Sequence, residues 1–341
     1  MSGNALQRAI VALAHAQPIS GEDVTEAFDL VMKGEATPTQ MAAFLMGLRV
    51  HGETAETVAG AARALRSAMV TLQADDPDSL VDTCGTGGGS VRTFNISTAA
   101  ALVAAGAGVR IAKHGNRSFT SICGSADVLE ALDVRIDVPV TTMERTLREC
   151  GIVFMFAPLM HPAMKHVGPV RRELGIPTVM NVIGPLANPA GAGRQVVGVA
   201  DASRVPILAG ALAELGAVHA LVVHGEPGLD EFSPLGPTHV IEIRDGTTAQ
   251  WTLDPADHGL LVENAAELAG ASKEENAQVI LDVLAGRGKP GARAAVILNA
   301  AAAVYVSGIV DSFPAALARA GEALDGGAGL VALEGLKRAS N

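Results

Sequence analysis

Residues 82–98 read DTCGTGGGSVRTFNIST, and this stretch decides the fold. A β-type run, LVDT, delivers the chain into Gly85, Gly87, Gly88 and Gly89. TFNIST then leads into AALVAAGA, an alanine-rich helical run. Glycine permits positive φ and close approach of backbone to a ligand. A helix start offers unpaired N–H groups and partial positive charge, both suited to phosphate. Two familiar phosphate motifs are absent. A G-x-G-x-x-G fingerprint begun at Gly85 and Gly87 needs glycine where Ser90 stands, and a P-loop needs a lysine before Lys113. The stretch is therefore either an anion site at a helix start or a tight turn with an ordinary N-cap.

Downstream, β-type runs alternate with helical patterns: LVDT, VRIA, QVVGVA, ALVVH and HVIEIR. Such alternation predicts an α/β fold with a mainly parallel central sheet. Upstream, the chain reads as purely helical. Ser20 with Glu22 and Asp23, Thr37 with Pro38 and Gln40, and Thr54 mark helix starts, while Gly34 and Gly52 mark stops. We therefore expect a small all-helical domain over 1–74 and a larger α/β catalytic domain over 75–341, the boundary falling at ADDPDS.

Composition narrows the class. Aromatic residues make up 3 %, so the core rests on Ala, Val, Leu and Ile. A net charge of −11 argues against a nucleic-acid or anionic-membrane surface. Cys84, Cys123 and Cys150 have no metal-ligand spacing and give no disulfide framework, and no basic-then-apolar leader begins the chain, so a cytoplasmic location is expected. The apolar stretch 294–310 is broken by Asn299, Ser307 and Gly308 and reads as a buried helix.

Polar loops follow three of the strands: the glycine stretch, Lys113-His114-Gly115-Asn116, and GEPGLDEFSP with Asp230-Glu231. Ligands of open α/β sheets bind beyond the carboxyl ends of the strands, so the three loops are expected at one crevice. Lys113 offers a point charge and Asn116 a donor and an acceptor, against the alternative of a solvated loop. His114 has no assignable carboxylate partner as a base. Asp230-Glu231 suit Mg²⁺ or form a plain acidic turn. Pro169 is expected to start a short helix that Gly175 stops, with one of Arg171 and Arg172 facing a carboxylate, or else with both at the surface beside Glu173. Met155, Met160, Met164 and Met180 read as packing. His161 and His166 do not make a zinc motif.

Together the strings DTCGTGG, TFNISTAAA, AKHGNRS, GSADVLEAL, HPAMKHV, PVRRELGI, NVIGPLANPAG and LDEFSP closely resemble the anthranilate phosphoribosyltransferase family. The resemblance implies a nucleoside-phosphorylase-like, class III phosphoribosyltransferase fold, with a helical segment near 166–188 packing on the N-terminal domain. It implies a homodimer joined through the helical domains. It implies Mg²⁺-dependent transfer of a phosphoribosyl group from phosphoribosyl diphosphate to anthranilate. Carried over, Gly85, Gly88, Gly89, Thr93, Asn95, Ile96, Ser97, Thr98, Lys113, His114, Gly115, Ser121 and Ser125 would line the phosphoribosyl diphosphate site. Asn116 and Arg171 would contact anthranilate, with Gly85 also near it. Asn116, Arg171 and Lys113 would be the catalytic set, and Ser97, Asp230 and Glu231 the Mg²⁺ ligands. One departure stands out: the family reads GTGGD, whereas this chain has Gly89 followed by Ser90. Ile122, at a position often polar in the family, is a lesser one.

Two other readings compete. A pyrimidine-nucleoside phosphorylase of the same fold leaves Arg171 unexplained and differs in its glycine-loop string. A non-catalytic nucleic-acid-binding relative wants a basic groove, against the acidic balance, and a salt-dependent DNA shift assay separates it.

Overall fold

A computed structural model describes residues 3–118 and 122–341. Helices α1 (Ala5–Ala14), α2 (Gly21–Lys33), α3 (Pro38–His51) and α4 (Ala55–Ser67) open the chain. Each starts on a reciprocal capping box: Asn4 with Gln7, Ser20 with Asp23, Thr37 with Gln40 and Thr54 with Thr57. Their inward faces meet around Phe28 and Phe44, whose ring centroids lie 5.0 Å apart.

The α/β region then runs β1 (Val81–Gly85), α5 (Ile96–Gly106), β2 (Ile111–Gly115), α6 (Ser125–Ala131), α7 (Val140–Cys150), β3 (Ile152–Phe156), α8 (Ala157–Met160), α9 (Met164–Leu174), β4 (Arg194–Gly198), α10 (Val205–Glu214), β5 (His219–Gly225), β6 (Thr238–Arg244) and β7 (Thr247–Leu253). Helices α11 (Lys273–Leu284), α12 (Pro290–Ser307), α13 (Phe313–Asp325) and α14 (Ala328–Ser340) complete it. The sheet order is β3-β2-β1-β4-β5-β6-β7. Pairing is parallel from β3 to β5 and antiparallel through β6 and β7. Strands β3 and β7 carry no sequence expectation. IVFMF is an apolar run without alternation, and TTAQWTL is a mostly exposed edge strand without an apolar face.

The order reverses between β1 and β4, and such a switch point opens a crevice at the carboxyl ends of those strands. One sheet face packs on α5 and α12–α14. The other shares a continuous core with the helical bundle: Val197, Val222 and Ile243 join Leu208 and Leu212 of α10, Val167 and Val170 of α9, and Phe28, Phe44 and Val58 of the bundle. A nearly buried ion pair, Arg204 to Glu53 at 3.0 Å, ties the start of α10 to the loop before α4.

The expectation that Pro169 begins a helix is corrected. Helix α9 starts at Met164 and contains Pro169. Its first turn is tightened, with Lys165 and His166 donating to carbonyls three residues back, and proline forfeits only its own N–H bond. Gly175, at φ 63°, ends it as expected. The apolar stretch forms the rest of α12 from Ala294 to Ser307 and leaves the helix at Gly308, and among the described residues no helix is long and apolar enough to cross a membrane.

Candidate active site

The site grows from the pleat of β1 and β2. Asp82, wholly buried, accepts hydrogen bonds from the His114 N–H (3.1 Å) and from Asn188 Nδ2 (2.7 Å). Asn188 also donates to the Ala112 carbonyl (2.9 Å) and accepts from the Ala190 N–H (2.9 Å). One carboxylate and one amide thus lock β1, β2 and the NPAG turn together. Burial raises the Asp82 pKa, and the Lys113 charge works against that rise. Lys113 is itself buried, and its ammonium donates to the Thr83 carbonyl and to Ser97 Oγ (3.2 Å).

Ser97 lies in the first turn of α5, whose N-cap is Asn95. Asn95 does not cap with its side chain. Its Oδ1 accepts from Asn276 Nδ2 (3.0 Å) and its Nδ2 donates to the Cys123 carbonyl (3.1 Å). Asn276, on α11, is buried and also accepts from the Ala271 N–H (2.8 Å). The first turn of α5 is therefore free of a side-chain cap from Asn95, as an anion site requires.

Asp230 and Glu231 lie over the crevice. A Cβ at Gly85 would stand 2.6 Å from Asp230 Oδ2, and one at Gly198 would run into the Asp230 carbonyl, so both strand ends need glycine. Asp230 Oδ2 accepts from the Gly87 N–H (2.8 Å). Burial raises the Asp230 pKa. Burial first and the Asp230 charge second push Glu231 up to about 8, against Lys113 and a hydrogen bond from the Ser97 amide. Two desolvated carboxylates side by side call for a cation.

The structure thus joins Gly85, Gly87, Ser97, Lys113, Asp230 and Glu231 by direct contacts. Gly88 is exposed at φ 82°, and Gly89 is half-buried against the 226–230 turn. The Thr93 carbonyl packs on Gly270. The Ile96 side chain is core, which leaves only its backbone for a ligand. Thr98 Oγ1 is buried without a hydrogen-bond partner among the described residues. Asn116 is exposed, its Oδ1 held by the Arg117 N–H (2.7 Å), and Ser125 Oγ donates to the Asn116 carbonyl (3.4 Å). A Cβ at Gly115 would collide with that hydroxyl. Ser121 lies outside the described residues. His114 is buried edge-on to His161, centroids 4.8 Å apart. Burial pushes their pKa values down to about 3 and about 4, so both are neutral at pH 7. Arg171 stands apart: its half-buried guanidinium makes no ion pair or hydrogen bond with any described residue, and Arg172 is exposed. Asn276 gave no signal in the sequence, because its role depends on α11 folding back onto the start of α5. Asp82 and Asn188 stood inside quoted strings, but their pairing spans over a hundred residues.

Comparison with known proteins gives the family of the chain. Residues 7–69 match the glycosyl transferase family helical bundle domain, and residues 77–330 match the glycosyl transferase family a/b domain. An anthranilate phosphoribosyltransferase of Anaeromyxobacter sp. (strain K) is 50 % identical over 324 residues, covering 94 % of this chain and 95 % of the relative. The chain belongs to the anthranilate phosphoribosyltransferase family. A crystal structure of the Thermus thermophilus member superposes with a TM-score of 0.92 at 40 % identity, covering 99 % of each chain. The Saccharomyces cerevisiae anthranilate phosphoribosyltransferase in complex with PRPP (phosphoribosyl diphosphate) and Mg superposes at a TM-score of 0.89 and 28 % identity, covering 98 % of this chain and 97 % of that one. Among the described residues no three His, Cys, Asp or Glu side chains form a metal cage. Asp230, Glu231 and the Ser97 hydroxyl are oxygen groups of the kind that Mg, present in the yeast structure, takes as ligands. That sparse oxygen set fits an ion that keeps waters and substrate phosphates as ligands.

Proposed function

We propose that this chain transfers the phosphoribosyl group of phosphoribosyl diphosphate to the amine of anthranilate, releasing diphosphate, in the tryptophan branch. The observation that carries the reading is the cluster at the β1–β4 switch point, where the glycine loop, the start of α5, Lys113 and Asp230-Glu231 are mutually hydrogen-bonded.

In this reading Gly85, Gly88 and Gly89 lay bare backbone against the ribosyl phosphate. The start of α5 at Ile96, Ser97 and Thr98, with Thr93, Asn95, Ser125 and Lys113, receives the phosphate and diphosphate oxygens. Ser121 belongs to the same set from outside the described residues. Asp230, Glu231 and Ser97 would hold Mg²⁺, which supplies charge compensation for the leaving diphosphate when bound. Breaking the C1–O bond leaves positive charge on the ribose and negative charge on diphosphate. Lys113, already fixed by Thr83 and Ser97, meets that negative charge without reorganising. The amine of anthranilate is neutral at pH 7, so no strong base is needed, and neutral His114 and His161 are not called on to ionise. Arg171 and Asn116 hold the acceptor, and orientation of two bound reactants supplies up to roughly 7–11 kcal/mol. The unpaired Arg171 guanidinium favours this acceptor over a nucleoside, which has no carboxylate.

The domain division at 74 and 75, the packing of 166–188 on the bundle, and a cytoplasmic homodimer joined through α1–α4 form part of the same proposal. The test is loss of anthranilate fluorescence on mixing with phosphoribosyl diphosphate and Mg²⁺. Unchanged fluorescence at every Mg²⁺ concentration defeats the reading.

A further inference from the structure

The glycine loop is fastened to the acidic loop by a residue outside the assigned site. Ser90 donates its backbone N–H to the Gly228 carbonyl (2.9 Å) and its hydroxyl to the Pro227 carbonyl (2.8 Å). Earlier in the loop, the Gly87 N–H donates to Asp230 (2.8 Å), and the Thr86 N–H donates to the Gly198 carbonyl (2.9 Å). Residues 86–90 are thus stitched along the 226–230 turn and the end of β4. The stitch requires two bare positions. A Cβ at Gly89 would stand 2.9 Å from the Gly228 carbonyl oxygen, and one at Gly228, at φ 117°, would collide with Ser90 Oγ. Gly89 and Ser90 therefore work together: the missing side chain brings the loops close, and the hydroxyl holds them there.

We propose that Ser90 is a positioning residue, a latch that holds the phosphoribosyl-diphosphate loop and the Asp230-Glu231 loop as one preformed wall. What the wall binds rests on the proposed function. The physical reason is preorganisation. A run of glycines loses more conformational freedom on ordering than any other sequence, and ordering it before the substrate arrives removes that cost from binding. The benefit belongs to substrate affinity and not to the bond-breaking step, because Ser90 does not reach the strand ends where the reacting atoms would lie.

The test compares Ser90→Ala and Ser90→Thr with the parent chain. Ser90 is exposed, so neither substitution threatens the core. Ser90→Ala is expected to raise KM for phosphoribosyl diphosphate about 3- to 10-fold, the size of one exposed hydrogen bond, with kcat and thermal midpoint unchanged. Ser90→Thr, which keeps the hydroxyl, returns KM to within about twofold of the parent. In ligand-free protein, amide hydrogen exchange at residues 86–90 speeds up in Ser90→Ala only. An unchanged KM in Ser90→Ala overturns the proposal, even where exchange speeds up. So does an elevated KM that Ser90→Thr does not restore. If the parent itself consumes no anthranilate, the proposed function fails. The latch is then still judged by exchange alone, and an unaltered exchange pattern overturns it.

Discussion

Replacing Lys113 by methionine tests whether the buried charges at the sheet's carboxyl edge are held as a unit. The substitution keeps the apolar stem but removes the ammonium that acts on two buried acids, Asp82 and Glu231. The Thr83 carbonyl and Ser97 hydroxyl lose a charged donor, and Asp82 and Glu231 lose the cation that opposes their desolvation. Breaking a buried charge arrangement by removing one partner costs about 3–5 kcal/mol. With about 2.1 cal/mol/K of unfolding entropy per residue, a chain of 341 residues shifts by about 1.4 °C per kcal/mol. Lys113→Met should therefore lower the thermal midpoint by about 4–7 °C. Asp82→Asn, which keeps an oxygen to accept from the His114 N–H, should also destabilise. In the double variant the leftover charge at 82 is gone, so the loss should fall short of the sum by about 1–3 kcal/mol. Activity should stay abolished in the double variant, because the proposed diphosphate contact is still missing. Calorimetry on the four proteins measures the coupling. Additivity within about 0.5 kcal/mol would refute the claim that Lys113 compensates Asp82.

Three further outcomes are expected. Arg171→Ala should raise KM for anthranilate at least about 10-fold, the worth of a charged hydrogen bond, while Arg172→Ala stays within about twofold; equal effects in steady-state kinetics would remove the assignment of Arg171 to the acceptor. Asn276→Ala, which strands Asn95 Oδ1 and the Ala271 N–H, should cost about 1–3 kcal/mol and raise KM for phosphoribosyl diphosphate; calorimetry with kinetics detects both, and a purely stability effect would sever Asn276 from the site. Neutral His114 and His161, with folded pKa values depressed below 6.5, contribute stability that is complete above pH 6.5 and is lost as pH falls toward about 4 and 3. The buried acids act in the opposite sense, so the readout is a difference: the His114→Gln midpoint should fall less steeply than the parent's between pH 6.5 and 4.5, and parallel curves would contradict a buried neutral imidazole.

What the sequence reveals about this fold is what local chemistry dictates. Thr37, Pro38 and Gln40 specify a helix start without help from elsewhere, and the structure places the capping box on them. Alternating apolar runs and helices specify the parallel sheet, and three polar loops after strands converge as the switch-point rule requires. What stays hidden depends on partners distant in the chain. Strand β7 is a strand because β6 offers it hydrogen bonds, not because TTAQWTL buries a face. Pro169 reads as a helix start because proline favours that position. It sits inside α9 because Val167 and Val170 on either side of it are drawn into the shared core. Asn276 and Ser90 are ordinary polar residues until α11 and the 226–230 turn come to meet them.

The geometry also explains why two acids sit where an anion is proposed to bind. The Gly87 N–H is engaged by Asp230, and Glu231 lies beside the Ser97 amide, which lowers its pKa. These are bare-backbone and helix-start donors of the kind that suit phosphate. The same pairing keeps the acids close together, and burial first and the Asp230 charge second raise the pKa of Glu231. A polyanion arriving alone would meet the Gly87 donor already taken and Asp230 facing it. One arriving with a divalent cation would give the acids a charge partner and would leave the amides to its phosphates. In the proposed reaction, the requirement for a metal therefore begins with access to the site, before any bond to the leaving group is broken.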